Sequence, residues 1–317
     1  MGNMRKEISI RHGSRMANRM LQYLFAKELQ RKFPDYEVTG YSIPEWDLAG
    51  PPPSPGKRRF PKLTIQRFDP KLIHTMIAEG RLDHLMIRSV CGNFAALPDR
   101  VFANGLFDAS HVQATATTDD DIVIHVRLDD ILVPGRHRDY GPLQLGFYQQ
   151  VVERSGRRPV FIGQLGDDWY SDALRQRFND ATFLEGGSVL HDFETLRRAH
   201  HVVLAISTFS WMAAWLSEAK TIHYPLSGLF HPMQVPSVDM IPLDDPRYQF
   251  YLFPTRKWDA TPDQQAELRA PFEATVLSMP EVSDLRDRSF QAWAPECAEW
   301  RESFVREAAA YSVSTYT

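Results

Sequence analysis

Short apolar runs alternate with amphipathic stretches along most of the chain, and this alternation is typical of an α/β fold. In the first part of the chain the pattern predicts strands at 7–10, 36–43, 63–66 and 84–89 and helices at 14–32, 70–78 and 94–107. In the second part it predicts strands at 122–127, 159–163, 181–185 and 202–206, and helices at 143–154, 169–178, 189–199 and directly after 206. Two more helices are predicted at 262–277 and 295–311, with no strand between them.

Two stretches interrupt this alternation. Residues 44–61 are rich in proline, which removes backbone donors and restricts its neighbours, so this segment is predicted to be a surface loop. The polar stretch QATATTDDD precedes the strand at 122–127. We therefore predict two domains, 1–117 and 118–317, with the C-terminal helices packing back on the first domain.

Composition excludes several classes of protein. The chain has 317 residues, with 36 basic and 40 acidic side chains and a net charge of −4, so a general affinity for nucleic acid or anionic membrane is not expected. Cys91 and Cys297 have no metal-ligand spacing and are expected to be reduced, buried thiols. The longest apolar run, 202–216, is too short to span a membrane. A cytoplasmic protein is expected, with peripheral attachment at the inner membrane face as the alternative.

The stretch VVLAISTFSWMAAWL, residues 202–216, places three hydroxyls where a buried strand becomes a helix. Helix capping requires only one hydroxyl at this position. Ser207, Thr208 and Ser210 together, with the free N–H groups of a helix N-terminus, form a natural anion site. Capping and phosphate binding are the two interpretations.

A second strand end carries His125 and Arg127 on one face of IVIHVRLDD. Burying an arginine is costly unless an anion pairs with it. That anion is either a neighbouring carboxylate, Asp129 or Asp130, or a pyrophosphate that suits the planar guanidinium. The first strand of the chain is followed by a similar polar cluster that includes His12, Arg15 and Asn18.

These three segments resemble, in the same order, segments of the α-1,2-fucosyltransferase group and its relatives among the GDP-fucose-dependent transferases. That group typically shows GGLGNQMFQYAFA, HVRRGDY and SSFSWWAAWL, and this chain reads SRMANRMLQYLFA, HVRLDDI and STFSWMAAWL. The stretches GPLQLGFYQQVV and VFIGQLGDDWYSDAL resemble further parts of the family. The resemblance covers residues 7–30 and 122–226.

The resemblance implies two Rossmann-like domains that face each other across a cleft, a GT-B-like arrangement. It also implies that the C-terminal domain holds the nucleotide sugar and the N-terminal domain the acceptor. Arg127 would contact the diphosphate, His125 the nucleotide, and Asn18 the sugar and phosphate. Asp130 and Arg15 are predicted to join the donor site, and Ser207, Thr208 and Ser210 to line its phosphate pocket.

The chain departs from the family pattern at two places. Ser14, Arg15 and Ala17 stand where the family has glycines, and Arg15 adds a charge there. Leu128 and Asp129 replace the second arginine and the glycine of the basic motif. A nucleotide-sugar donor other than GDP-fucose therefore remains an alternative, as does a binding module without catalysis.

Transfer with inversion needs a neutralised diphosphate and a base for the acceptor hydroxyl. Arg127 is expected to act on the diphosphate, and His12, Glu45 and Asp47 are the candidates for the base. No metal is expected, because Asp129 and Asp130 are the only plausible ligand pair among the acidic clusters and Arg127 would repel a cation from them. A dehydrogenase is not favoured, since no G-x-G-x-x-G motif follows a predicted strand.

The expected function is transfer of fucose from GDP-fucose to a glycan hydroxyl, in the synthesis of a bacterial surface or exported polysaccharide. The expected partners are the donor and a carbohydrate acceptor, with no nucleic acid and no transmembrane segment, and no cofactor beyond the donor.

Overall fold

The computed structural model describes residues 6–11, 14–54 and 60–316, with the side chains described as far as residue 311. The chain forms two compact units. Unit 1 comprises Met1–Asp108, Ser237–Met240 and Phe290–Thr317, and unit 2 comprises Ala109–Pro236 and Ile241–Ser289. The predicted domains 1–117 and 118–317, and their arrangement across a cleft, stay predictions.

Unit 1 is built on a parallel four-stranded sheet. Its strands are β1 (Lys6–Ile10), β2 (Tyr36–Thr39), β5 (Lys62–Leu63) and β6 (His84–Ile87), in the order β2-β1-β6-β5, while β3 (Ser42–Ile43) and β4 (Leu48–Ala49) form a separate antiparallel pair. Its first three helices are α1 (Met16–Lys32), α2 (Pro70–Ala78) and α3 (Arg100–Gly105). In α1, apolar residues at helical spacing bury one face completely, among them Met20, Leu24 and Leu29.

Unit 2 contains a seven-stranded sheet. Its strands are β7 (Asp121–Val126), β8 (Arg158–Gly163), β9 (Thr182–Leu184), β10 (His201–Val203), β11 (Thr221–Leu226), β12 (Tyr248–Leu252) and β13 (Thr275–Leu277). Its helices are α4 (Leu145–Ser155), α5 (Trp169–Arg177), α6 (Val189–Arg198), α7 (Thr208–Leu216) and α8 (Pro262–Arg269). The last helix, α9 (Met279–Tyr316), begins in unit 2, and its residues from Phe290 onward belong to unit 1.

The strand order of unit 2 is β9-β8-β7-β10-β11-β12-β13, and only β13 runs antiparallel to its neighbour. Counted along the chain, this is the order 3-2-1-4-5-6 of a doubly wound sheet, with one extra strand at the edge. The connections leave β7 and β10 in opposite directions along the sheet. The switch point of the topology therefore lies between these two strands.

The α/β class predicted from the sequence is confirmed, and most elements before residue 217 lie within a few residues of their predicted positions. The predicted strand 36–43 is divided at Gly40, whose φ of 71° is left-handed. The proline-rich segment is not loop throughout, because it contains a short 3₁₀ helix, Pro44–Trp46, and the strand β4. The predicted helix 94–107 is reduced to a 3₁₀ turn, Phe94–Ala96, and to α3.

The largest errors lie near the C-terminus. The helix predicted at 262–277 is wrong in its second half, because α8 ends at Arg269 and β13 follows. The helix predicted at 295–311 begins much earlier, and Pro295 lies inside α9. Strands β11 and β12 were not predicted. Strand β11 was missed because it contains Pro225, and proline is unusual inside a strand. Strand β12 could have been predicted from the aromatic residues of YQFYL, which are typical of strands.

Candidate functional site

The carboxyl ends of β7 and β10 lie side by side in unit 2. Their parallel register pairs Val202 with Val123 and Val203 with Ile124. In doubly wound sheets ligands bind outside the carboxyl ends of the strands, at the point where the topology switches. His125 lies near the carboxyl end of β7, and Arg127 directly follows that strand. Ser207 and Thr208 follow β10.

The turn from β10 into α7 is held by its own hydroxyls. Ser207 is the N-cap of α7, and its Oγ accepts a hydrogen bond from Phe209 N at 3.2 Å. Thr208, half-buried, is the first helical residue. The N-terminus of α7, with its partial positive charge, therefore faces the switch point.

Ser210 differs from the other two hydroxyls. It is fully buried, and its Oγ lies within donating distance of Ala205 O, at 3.3 Å, and of Ser207 O, at 3.2 Å. This hydroxyl closes the turn from inside. The geometry argues against the predicted contact between Ser210 and a phosphate, whereas Ser207 and Thr208 remain at the helix end.

An apolar body fixes the direction of α7. Trp211 and Trp215 stack with their ring centroids 5.6 Å apart, and both are buried together with the residues between them. A close-packed helix of this kind has little freedom to rotate. Packing of the helix body thus fixes the direction of α7, and the hydroxyls bond the backbone of the turn before it.

Arg127 directly follows β7, and only part of its guanidinium is hydrogen-bonded. Nη2 donates to Asp130 Oδ1 at 2.5 Å, and Asp130 Oδ2 lies 3.0 Å from His137 Nε2. The Nε of Arg127 is buried and has no partner among the residues that the structure describes. The carboxylate alternative for Arg127 is therefore realised in Asp130, and one N–H of the guanidinium is left over.

Asp129 explains a departure from the family pattern. Its φ is 52°, in the left-handed region that glycine adopts freely and aspartate tolerates better than most residues. Gln164, which follows β8, donates from Nε2 to Asp129 Oδ2 at 3.3 Å and accepts from Leu128 N at 3.0 Å. The turn after β7 keeps the conformation that a glycine would give it.

His125 lies in β7, two residues before Arg127, and is buried. Its ring is nearly parallel to that of Phe209, at a centroid distance of 5.2 Å. Burial, reinforced by the nearby charge of Arg127, lowers the pKa of His125 to about 3, so the imidazole is neutral at ordinary pH. Its Nδ1 is buried and has no hydrogen-bond partner within the described part of the chain.

A cavity of about 540 Å³ opens at the same edge of the sheet, after β9 and at the start of α6. On its wall, Thr115 Oγ1 lies 3.1 Å from His191 Nε2, and His191 Nδ1 lies 3.2 Å from Asp192 Oδ1. Burial raises the pKa of Asp192. A Cβ on Gly187 would lie 2.4 Å from the Asp192 carboxylate, so glycine keeps this wall open.

The other predicted site residues lie in unit 1. Arg15 is the exposed N-cap residue of α1, and Asn18 is half-buried in the first turn of the helix. Glu45 accepts from Arg19 Nη2 at 2.6 Å, and Asp47 is exposed with a left-handed φ of 51°. His12 lies outside the described residues. The roles of these residues toward donor or acceptor stay predictions.

Sequence analysis missed several groups that shape the site. His137 and Gln164 hold the two aspartates after β7, Phe209 stacks on His125, and Trp258 donates from Nε1 to Ile131 O at 2.6 Å. Gln164 could have been found, because it directly follows a predicted strand at the same sheet edge. Trp258 could not, since it is distant from the loop in sequence.

Within the described ranges, no group of three or more histidine, cysteine or acidic side chains is placed to hold a metal ion. Cys91 and Cys297 are both free and buried, as expected. Of the helices the structure describes, none combines the length and the apolar character that a membrane span requires.

A doubly wound sheet with an arginine and a helix N-terminus at its switch point defines a class, the α/β proteins suited to binding nucleotide phosphates. Residues 110–226 match the family Glycosyl transferase family 11, the α-1,2-fucosyltransferase family. The matched segment contains β7 with Arg127, the cavity after β9, and α7. The predicted resemblance is thereby confirmed, and the chain is a glycosyltransferase of fucosyltransferase-like type. No curated protein matches the chain.

Proposed function

We propose that the chain transfers fucose from GDP-fucose to a glycan hydroxyl, with inversion at the sugar carbon and without a metal ion. We place the reaction in the synthesis of a bacterial surface or exported polysaccharide. The family match over 110–226 supports a fucosyltransferase-like enzyme, and the donor, the stereochemistry and the pathway are our proposal.

One observation carries the proposal. At the switch point of unit 2, Arg127 Nε and His125 Nδ1 are both buried, and neither has a partner among the described residues. Leaving a buried polar atom without a hydrogen bond costs about 1–3 kcal/mol, so such atoms are rare unless a ligand forms the missing bond. A diphosphate supplies acceptor oxygens at the place where nucleotides bind in this topology.

The chemistry follows from these groups. As the bond between the sugar and the diphosphate breaks, negative charge grows on the leaving oxygen. Arg127 and the N-terminus of α7 lie where they stabilise that charge. Asp130 and His137 act on Arg127 rather than on the donor, because the Asp130 carboxylate accepts from Nη2 and leaves Nε for the ligand.

The cavity after β9 is the place we assign to the nucleoside. Guanine presents N–H donors on its pairing edge, and a carboxylate accepts two of them at once. Asp192 lines this cavity, and Glu185 lines it as well while accepting from Arg175 Nη2 at 2.7 Å. These acceptors favour guanine over uracil, which has a single N–H at its pairing edge.

A second candidate function is a nucleotide-sugar-binding module without catalysis, or transfer from another donor. The observation in its favour is that Asp130 already neutralises Arg127, while Leu128 stands where the family has a second arginine. The positive charge available to a leaving diphosphate is thus smaller than the family pattern provides.

A ligand screen tests the donor. GDP should raise the Tm of the protein more than UDP, CMP or NAD does, and at a hundred times its Kd it should add about 2.7 kcal/mol to the free energy of unfolding. Asp192→Asn should narrow the difference between GDP and UDP, whereas Asp172→Asn, which changes an exposed carboxylate on α5, should not.

Turnover separates the two candidate functions. Release of GDP from GDP-fucose in the presence of glycan acceptors, with the product sugar inverted, supports the proposed transferase. An equal response to GDP and UDP would contradict the donor. Tight GDP binding with no release of GDP from GDP-fucose would favour the binding module.

A further inference from the structure

A second cavity in unit 2 lies at the opposite edge of the sheet, at the amino ends of β10 and β11. Its volume is about 220 Å³. The residues that line it are Arg154, Ser155, Arg157, His201, Thr221, His223 and Gln249, and none of them is acidic. We call this cavity the amino-edge pocket.

The two arginines of the amino-edge pocket have no acidic partner. In the described part of the chain, neither Arg154 nor Arg157 forms an ion pair, whereas the adjacent Arg158, outside the pocket, lies 2.9 Å from Asp121 Oδ1. Both side chains line one small space, Arg154 exposed and Arg157 half-buried, so their positive charges favour an anion there.

Nearby carboxylates do not remove this charge. Asp119 is the nearest one engaged by a residue of the pocket, since its Oδ1 lies 3.1 Å from His201 Nε2. The same oxygen accepts from Lys220 Nζ at 2.6 Å and lies 3.4 Å from His200 Nδ1. Asp119 is therefore shared by His201, Lys220 and His200, and it forms no ion pair with Arg154 or Arg157.

The floor of the pocket is polar and preorganised. His223 is buried, and its Nδ1 lies 2.9 Å from Tyr251 Oη. Burial lowers the pKa of His223 to about 3, with smaller contributions from His201, Arg154 and Arg157. The imidazole is thus held neutral in a region of positive potential, where it serves as a hydrogen-bonding group rather than as a further charge.

We propose that the amino-edge pocket binds the phosphate group of a small molecule or lipid headgroup, at a site separate from the donor site. The planar forks of Arg154 and Arg157 suit a tetrahedral oxyanion, and the side chains of Thr221 and Gln249 add neutral hydrogen-bonding groups. The cavity corresponds to about seven water volumes at ~30 Å³ each, enough for a phosphate with its first waters.

The chemistry of the lining argues against other ligands. Calcium and magnesium prefer carboxylate oxygens, and no carboxylate lines this pocket. The two histidines are suitable ligands for a transition metal, but the positive charges of Arg154 and Arg157 oppose the binding of a further cation there. An extended nucleic acid needs a broad basic surface, which the net charge of −4 does not favour. A single phosphate group is the ligand class that both the size and the charge of the pocket fit.

Calorimetric titration with inorganic phosphate and with pyrophosphate tests the site, on the full chain with saturating GDP present to occupy the switch point. The double variant Arg154→Gln/Arg157→Gln removes both charges, and Arg158→Gln, at the first residue of β8 and outside the pocket, is the matched control. We expect one saturable site whose affinity falls at least tenfold in the double variant and changes less than twofold in the control.

The Tm distinguishes a ligand site from a structural cluster. In phosphate-free buffer the Tm of the double variant should be close to that of the unmodified protein, because the lost repulsion between the two arginines offsets the lost contact of Arg154 with Tyr251. The stabilisation by added phosphate should disappear. If the double variant keeps its affinity for phosphate and pyrophosphate, or if no saturable binding occurs with the unmodified protein, the proposal is overturned.

Vesicles identify the source of the phosphate. Sedimentation with vesicles of phosphatidic acid in phosphatidylcholine should retain the unmodified chain and the control, and release the double variant, if a lipid headgroup is the ligand. Saturable pyrophosphate binding without vesicle retention assigns a soluble phosphate compound. Vesicle retention that is equal for all three proteins, with no titratable phosphate site, contradicts the proposal.

Discussion

Arg127 shows one of the two interpretations that its position after a strand had left open, the ion pair with a carboxylate, and the diphosphate contact stays a proposal. It forms the ion pair with Asp130, and it retains a buried Nε without a described partner. This is possible because a guanidinium carries five N–H donors in a rigid plane, so one edge can be anchored while the other faces a ligand. Lysine, with a single point charge, can do only one of these.

Arg127→Lys should therefore cost on the order of 1.5–3 kcal/mol in transition-state binding, or about ten- to a hundredfold in kcat/KM for the donor. The Tm should change little, because lysine keeps a positive charge beside the Asp130 carboxylate. Donor kinetics and Tm are measured on the same preparation.

Arg138→Lys is the matched control, because Arg138 is an exposed arginine of the same loop that pairs with Asp259. Its kinetics should not change. Unchanged donor kinetics in Arg127→Lys would remove Arg127 from the site, and with it the central argument for the proposed function.

Glu7 is a buried carboxylate in β1, at a position where the apolar pattern of a buried strand favours a hydrophobic residue. Its Oε1 accepts from Thr39 Oγ1 at 2.5 Å and from Ser54 N at 3.1 Å. Burial by itself would raise the pKa of Glu7, but these hydrogen bonds, with a smaller contribution from His84, lower it below its ordinary value of 4.5. The carboxylate thus joins β1 and β2 to the proline-rich segment.

This shift predicts how stability depends on pH. The unfolded chain protonates Glu7 at a higher pH than the folded chain does, so the stabilisation is complete above about pH 4.5 and is lost as the pH falls below it. Glu7→Gln should lower the Tm at pH 7 and flatten its decline between about pH 5 and 3. Glu79→Gln, at an exposed pair with Arg81, should leave the slope intact. An unchanged slope in Glu7→Gln would contradict the assignment.

Helix α7 combines two kinds of hydroxyl that look equivalent in sequence. Ser207 caps the helix from its end, and Ser210 ties the turn from within. Packing of the two tryptophans sets the direction of the helix, and the hydroxyls then take the positions that the backbone leaves them. Only a hydroxyl at the open end of the helix is available to a ligand.

Two alanine variants separate these roles. Ser207→Ala should lower the free energy of unfolding by about 0.5–2 kcal/mol, because the cap is lost, and should also weaken GDP binding. Ser210→Ala should cost a comparable amount, about 0.5–1.5 kcal/mol, and leave the Kd for GDP unchanged. Thermal unfolding and GDP titration of both variants provide the test. If Ser210→Ala weakens GDP binding by more than its effect on stability explains, then Ser210 contacts the phosphate, as the sequence predicted.

At the level of the whole molecule, the strand order of unit 2 places the switch point, our proposed donor site, at one edge of the sheet and the amino-edge pocket at the opposite edge. β10 contributes to both, because Ser207 follows its carboxyl end and His201 begins it. One sheet can thus present two anion sites without sharing a side chain between them.

The proposed reaction does not require a metal ion, since Arg127 and the N-terminus of α7 neutralise the diphosphate. Fucosyl transfer should therefore continue within about twofold of its initial rate after dialysis against EDTA. Turnover is compared before chelation, after chelation, and after addition of Mn²⁺ or Mg²⁺. A loss of turnover that either ion restores would contradict this part of the proposal.

The sequence by itself determined the alternation of strands and helices, and it placed Arg127, Ser207 and Thr208 at the ends of strands. It could do so because the periods of apolar residues and the capping residues act over a few neighbouring positions. It failed where local signals conflicted with the fold, as at Pro225 inside β11 and at Pro295 inside α9.

Only the tertiary structure decided that β7 and β10 are neighbours, although two other strands lie between them in the chain. It also decided that Asp130 takes one edge of Arg127, that Ser210 turns inward, and that Arg154 and Arg157 meet His223 at one pocket. Strand order and side-chain partners depend on long-range packing and on the burial of every polar group at once. No short stretch of sequence contains that information.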